Sequence, residues 1–236
     1  MSKIFVYELK RLIFNKFFLS LFFVTGLYSY MILSRNIILG IAFTAPFSLW
    51  SYGAYLASIQ PLLVITLLFF ITGMYSNQEK QVKLLTFATP VDPFRYGLIK
   101  CSAMVAGFFI ISLFVIAISL VFYTVLFRFY SFAGFLIPIV ITLIPNLLFF
   151  LGAGLVLGRI QPNILYILMI AALLLGLLPL PPFFDLYGGR FFSTHPLTLP
   201  VGADGEPAFL LPISFVLGKV FYCVSGILMV LFGLRK

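Results

Sequence analysis

Acidic and histidine side chains are what this chain has least of. There are six Asp and Glu and one His in 236 residues, beside two cysteines and a single tryptophan. All six acids (Glu8, Glu79, Asp92, Asp185, Asp204 and Glu206) fall in loops or at the ends of apolar runs. Ion-coupled transporters and proton pumps commonly carry an acid or histidine at membrane depth, so the sequence argues against ion coupling. His195, with Asp185, Asp204 and Glu206, matches the spacing of no catalytic or zinc motif and reads as structural or solvated. Cys101 and Cys223 sit in or beside apolar spans and offer neither a disulfide framework nor metal-ligand spacing. A phosphate loop is missing too: Gly218-Lys219 lacks the upstream glycine and the following hydroxyl residue, so this chain is not expected to hydrolyse ATP. Nor is there a sequence repeat to support an inverted-repeat transporter.

What fills the chain is apolar. It is 63% hydrophobic and 9% charged, against roughly 25% charged in a soluble protein. A hydrocarbon core of about 30 Å takes roughly 20 residues of helix. Six stretches qualify: 17–34, 53–75, 98–127, 132–157, 163–180 and 213–234. Each is expected to be helical, because backbone groups in lipid must bond within their own segment. The reading is an all-α membrane protein, one domain over 1–236 with six transmembrane helices and no room for a soluble domain. The first apolar run lacks a cleavage site and reads as a retained span.

Basic residues set the expected orientation. With the N-terminus inside, Lys3, Lys10, Arg11, Lys16, Lys80, Lys83, Arg95, Lys100, Arg159, Arg235 and Lys236 are cytoplasmic, while Arg35, Arg128 and Arg190 are outside. Both termini then lie in the cytoplasm of a multi-pass plasma-membrane protein. The net charge of +9 reflects topology and anionic lipid, with no nucleic-acid partner needed.

Several local features carry expectations. Residues 1–16 place Phe5, Leu9, Leu12 and Ile13 on one helical side and Lys3, Lys10 and Arg11 away from it, either as an interfacial amphipathic helix or as a plain basic flank. Trp50, Tyr52 and Tyr55 suit an outer aromatic belt. Gly154-x-x-x-Gly158 is a candidate close helix contact, and Pro138 and Pro145 are expected to kink or interrupt their span. The outer segment 181–211 mixes aromatics, prolines and Gly188-Gly189, suggesting short structures half-sunk in the interface. Lys219 lies inside the last span, where it snorkels to the outer interface, rests on Phe215 and Tyr222 one turn away, or lines a substrate path.

The polar island 76–100 is the most informative stretch. Glu79, Lys80, Lys83, Asp92, Arg95 and Lys100 interrupt two long uncharged runs, and Thr89-Pro90-Val91-Asp92-Pro93 makes a rigid turn. It is either a bland inside loop or a coupling segment that passes a push from a soluble partner into the membrane.

In Glu79, Leu84-Leu85, Thr89-Pro90-Val91 and Lys100 this island resembles the permease subunits of type-2 ATP-binding-cassette exporters. Gln81-Val82 stands where that family carries a Gly-Thr pair, and Lys83-Leu84 supplies no second acid. The resemblance implies six spans, an N-terminal elbow helix (1–16), a cytoplasmic coupling segment (76–97) and an extracellular segment (181–211). It also implies separate ATPase subunits that bind ATP and magnesium, and a second permease copy, identical or related. The contact with the ATPase would fall to Glu79, Lys80, Asp92 and Arg95, assisted by Glu8, Lys10 and Arg11. A lipophilic or amphipathic substrate, such as an antimicrobial peptide or drug, suits the apolar walls. Two rival readings are an ATPase-independent secondary transporter or channel, and a membrane-anchored scaffold or enzyme.

Overall fold

The computed structural model describes every residue except 1, 77, 78, 80, 82–91, 203, 204 and 236. The described residues are helical, with a single β-bridge between Val201 and Pro207. The elements are α1 (Ser2–Ile13), α2 (Lys16–Ile32, prolonged by a π-helical turn, Leu33–Ile37), α3 (Leu49–Met74), α4 (Pro93–Phe127), α5 (Leu136–Ile160), α6 (Ile164–Leu175), α7 (Gly189–Thr194) and α8 (Ile213–Leu234). Short polar residues start several of them. The side chains of Asn15, Ser48 and Asp92 accept hydrogen bonds from the N–H groups of Phe17, Ser51 and Phe94, satisfying donors that the first helical turn leaves free.

Five helices are long and apolar enough to cross a membrane: Lys16–Ile37, Leu49–Met74, Pro93–Phe127, Ala133–Ile160 and Ile213–Leu234. This is a multi-pass, all-α membrane architecture. α3 is its axis, lined by buried side chains along most of its length and packed against α2, α4, α5, α6 and α7. The expected outer belt of Trp50, Tyr52 and Tyr55 is instead part of the core, each residue at most 1% exposed. The reason is polar satisfaction within the protein. Trp50 Nε1 donates to the Pro207 carbonyl at 3.1 Å, Tyr55 donates to the Val115 carbonyl at 3.0 Å, and Tyr52 stacks on Phe135 with centroids 4.0 Å apart.

Glycines set how closely the helices approach. Gly154 sits under Leu68 and Ile71 of α3, and Gly158 under Tyr75, so Gly154-x-x-x-Gly158 is a close contact between α5 and α3. Gly152 faces the other way, and its missing Cβ makes room for the Gly226 carbonyl of α8. α5 runs uninterrupted through Pro138 and Pro145. Pro138 lies in the first turn, where no backbone donor is needed, and the amide of Asn146 donates to the Thr142 carbonyl at 2.7 Å beside Pro145.

The stretch expected as the span 163–180 differs most. Its helix α6 has 12 residues, about 18 Å at 1.5 Å per residue, well short of a hydrocarbon core. Gly176 then lies against Pro61, halfway along α3. Pro179, Pro181 and Pro182 cannot continue a helix. The chain next returns to α3 nearer its start: Gly189 beside Ala57, Phe192 against Gly53, and His195 with its ring 5.8 Å from Trp50. α6 and α7 therefore stack end to end along α3 as two pieces, with residues 177–188 between them.

Candidate functional site

The helix ends divide into two sets. One set gathers α1, the end of α3, the start of α4 and the ends of α5 and α8. Here the Tyr75 hydroxyl donates to the Leu155 carbonyl at 2.7 Å, Leu234 covers Gly97, and Arg159 bonds the Arg235 carbonyl. We call this the basic end.

At the basic end, α1 does not lie with its polar side simply outward. Val6, Tyr7 and Phe14 are exposed, whereas Glu8 is buried. Glu8 and Arg11 are one turn apart on α1, and Arg11 bridges two carboxylates, Glu8 at 2.8 Å and Glu79 at 2.9 Å. Glu79 follows α3, its N–H donating to Ser76 Oγ. The ammonium of Lys100, on α4, pairs with Glu79 and stands 4.0 Å from Glu8. The Glu79 and Lys100 side chains are 5% and 6% exposed. Two acids and two bases thus neutralise one another where three elements meet. Lys100 also lies 4.6 Å over the Tyr96 ring. Beside the cluster a cavity of about 460 Å³ is walled by Phe17, Phe18, Phe69, Phe70 and Met104. Glu8, Glu79 and Lys100 are buried, so each depends on its partners far more than a surface ion pair does, while Arg11 reaches them from a side chain 44% exposed.

Of the residues expected to contact a partner, the fold gathers Glu8, Arg11 and Glu79, and turns Glu79 inward. Lys10 is exposed on α1. Asp92 caps α4 and stands 3.7 Å from Arg95, both well exposed. Lys80, together with Lys83, Leu84-Leu85 and Thr89-Pro90-Val91, lies outside the described residues. Sequence reasoning left Lys100 out of the contact set. The signal for it was available: a lysine opening a 27-residue uncharged run needs a carboxylate close by, and Glu79 is the nearest acid across the preceding turn except Asp92.

At the other end, Lys219 of α8 is 4% exposed and turned into the protein. Its ammonium donates to the carbonyls of Asp185 (3.1 Å) and Leu186, and lies 4.8 Å over the Phe215 ring. The Tyr222 hydroxyl donates to the Phe184 carbonyl at 3.2 Å, and a Cβ on Gly218 would stand 2.2 Å from the Phe183 oxygen. α8 thereby grips Phe183–Leu186, the backbone that joins α6 to α7. Lys219 is a latch on that connection. Lys219→Met leaves two buried carbonyls without their donor, a loss of about 1–3 kcal/mol. The thermal midpoint in detergent is expected to fall by several degrees; an unchanged midpoint would remove the latch.

The titratable residues near this end serve separate structural tasks. Asp185 Oδ1 and Oδ2 accept from the N–H groups of Gly188 and Phe191 at 2.8 and 3.0 Å, Glu206 accepts from Ala45 N–H at 2.7 Å, and Asp204 lies outside the described residues. His195 packs on Phe191 and Trp50, and partial burial holds its imidazole below the ordinary pKa of 6.5. Among the described residues, no three of His, Cys, Asp and Glu gather as a metal site. Comparison with known proteins adds no relative: neither a family model, nor a curated protein, nor a solved structure matches this chain.

Proposed function

We propose that this chain is the membrane-spanning permease subunit of an ATP-driven exporter of the type-2 ATP-binding-cassette class. It works beside a second permease, identical or related, and draws on separate ATPase subunits that hold ATP and magnesium. The observation that carries this reading is the buried charge cluster Glu8–Arg11–Glu79–Lys100, which ties the N-terminal helix, the segment after α3 and the start of α4 into one unit.

On this reading the basic end faces the cytoplasm, in keeping with the distribution of Lys and Arg. α1 is the elbow helix and 76–97 the coupling segment. α4 supports the arrangement by its length: 35 residues make about 52 Å of helix, so its first turns project well beyond a core of about 30 Å. Asp92 and Arg95, exposed on that projection, are the contact with the ATPase, while Glu79 and Lys100 transmit its movement. Closure of the ATPases displaces the segment, α1 and α4 as a nearly rigid body. The sixth crossing is made by α6 and α7 in series. Substrate moves between the two permeases along walls rich in Phe, Leu and Ile, which suit a lipophilic or amphipathic molecule such as an antimicrobial peptide or drug.

The test begins by asking whether a gene beside this one encodes a phosphate-loop protein; the chain is then purified with that protein and ATP turnover is measured in vesicles. Reversing both exposed charges (Asp92→Lys with Arg95→Glu) is expected to weaken complex formation and coupled turnover several-fold, while the thermal midpoint falls by only a few degrees through loss of the Asp92 cap on α4. A complex that forms and turns over normally with both charges reversed removes these residues from the contact.

A further inference from the structure

The connection between α2 and α3 is apolar, yet its backbone is held in an unfavourable shape. Gly40, Ala42 and Phe43 have φ of 74°, 53° and 60°. Position 40 requires glycine, since a Cβ would stand 1.9 Å from the Thr44 carbonyl oxygen. Left-handed backbone is uncommon for alanine and an outlier for a residue as bulky as phenylalanine. Such strain persists only where the surroundings over-determine it.

They do so here through a chain of hydroxyls. Thr44 Oγ1 donates to the Ile41 carbonyl at 2.7 Å, Ser48 Oγ donates to Thr44 Oγ1 at 2.8 Å, and Ser51 Oγ accepts from Ile41 N–H at 3.0 Å. From the far side of the sequence, the Glu206 carboxylate fixes Ala45 N–H. The result of all this restraint is to point two large apolar side chains away from the protein. Phe43 is 96% and Leu39 86% exposed, the highest values among the described large hydrophobics. A loop that only joined two helices would turn its phenylalanine inward.

Location supplies the partner. α2 with its π-helical turn ends at Ile37 and α3 begins at Leu49, so the tip between them lies at the edge of the hydrocarbon. The outward apolar surface of α2, through Leu27, Tyr30 and Met31, runs on into Leu39 and Phe43. Exposed Arg35 stands at the same level and complements a lipid phosphate. We infer that Leu39 and Phe43 form a fixed prong that enters the head-group boundary of the leaflet at this end, its partner being the phospholipid itself. A strained loop held this firmly couples the depth of α2 and α3 to the bilayer surface.

Tryptophan scanning tests this in the full chain reconstituted in phosphatidylcholine vesicles brominated near the head-group end of the acyl chains. Trp50, 1% exposed, gives the baseline in the parent protein. In Phe43→Trp, and separately in Leu39→Trp, the added emission should be blue-shifted, lose most of its intensity to brominated lipid, and resist iodide added to the water. Quenching by iodide with little effect of brominated lipid would overturn the inference and leave the prong standing in water, as a loop for a protein partner. Phe43→Gly, which relieves the strained φ and keeps the loop, should raise the thermal midpoint while restoring a Leu39→Trp signal that is less quenched by lipid. A lowered midpoint would mean that the conformation carries no strain for the prong to justify.

Discussion

Glu79→Ala should be the most disruptive single change at the basic end. It strands Lys100, 6% exposed, with Glu8 at 4.0 Å as its remaining carboxylate, and it frees one arm of Arg11. Removing one partner of a buried pair costs about 3 kcal/mol or more, because the other charge stays behind without water. For a chain of this size that is roughly 10 °C in thermal midpoint. The partner change separates pairing from packing. Glu79→Ala combined with Lys100→Met deletes both charges and should recover part of the loss, since no lysine charge is then left buried without its carboxylate. Thermal unfolding in detergent across the four members of the cycle measures the coupling. If the double variant is as unstable as the sum of the singles, the cluster does not act as a pair. On the proposed function, Glu79→Ala lowers coupled ATP turnover as well, whereas the Asp92 and Arg95 reversal lowers turnover with only the small loss of midpoint that an exposed cap accounts for.

Gly226→Val should be comparably damaging for a different reason. A Cβ at 226 would lie 2.5 Å from the carbonyl carbon and oxygen of Leu148 and 2.7 Å from the Phe149 nitrogen. These are backbone atoms of α5, so no side-chain rotation relieves the clash, and α8 must move away along its contact with α5. In lipid there is little hydrophobic gain to pull it back; packing itself holds the helices together. Loss of a few kcal/mol is expected, with α8 released from α5 and Lys219 pulled off the carbonyls it serves. Cysteine crosslinking between α5 and α8 positions, efficient in the parent and poor in Gly226→Val, checks the separation. Gly226→Ala should sit between the two. A parent-like crosslinking rate in the valine variant would refute the contact.

How much of this was legible in the sequence varies by residue. Apolar run length gave the long helices, because 20 or so uncharged residues in a row have few other solutions. At 163–180 it read one continuous helix, where the composition is as apolar as elsewhere but Gly176 and the prolines that follow end the helix after 12 residues. Hydropathy averages do not see where a helix must stop. The aromatic residues 50, 52 and 55 misled in the opposite sense. Composition places Tyr and Trp at interfaces, yet here their polar atoms find partners across 157, 67 and 60 residues of sequence, at Pro207, Ser119 and Val115. No local pattern reports such partners. The site was legible in its charges and not in its direction. Glu79 stands out through the resemblance of its island to the coupling segment of type-2 exporters, but whether it faces a partner or Lys100 depends on the rotation of α4, which sequence spacing leaves open. Gly226 went unnoticed because its counterpart, Gly152, stands 74 positions earlier in the sequence.

On the proposed function, the two-piece crossing by α6 and α7 also constrains the order in which the chain assembles as it is synthesised. The backbone at 183–186 lies between α6 and α7, outside any helix, and lipid would offer it no hydrogen bonds. Its carbonyl partners, Lys219 and Tyr222, belong to α8 and emerge from the ribosome more than thirty residues later. Until α8 arrives, residues 177–195 have no stable place in the bilayer and must wait at its surface. On that reading α8 is what draws the preceding crossing into the membrane, and truncation before residue 219 should leave the half-buried His195 more open to water-soluble reagents than in the parent.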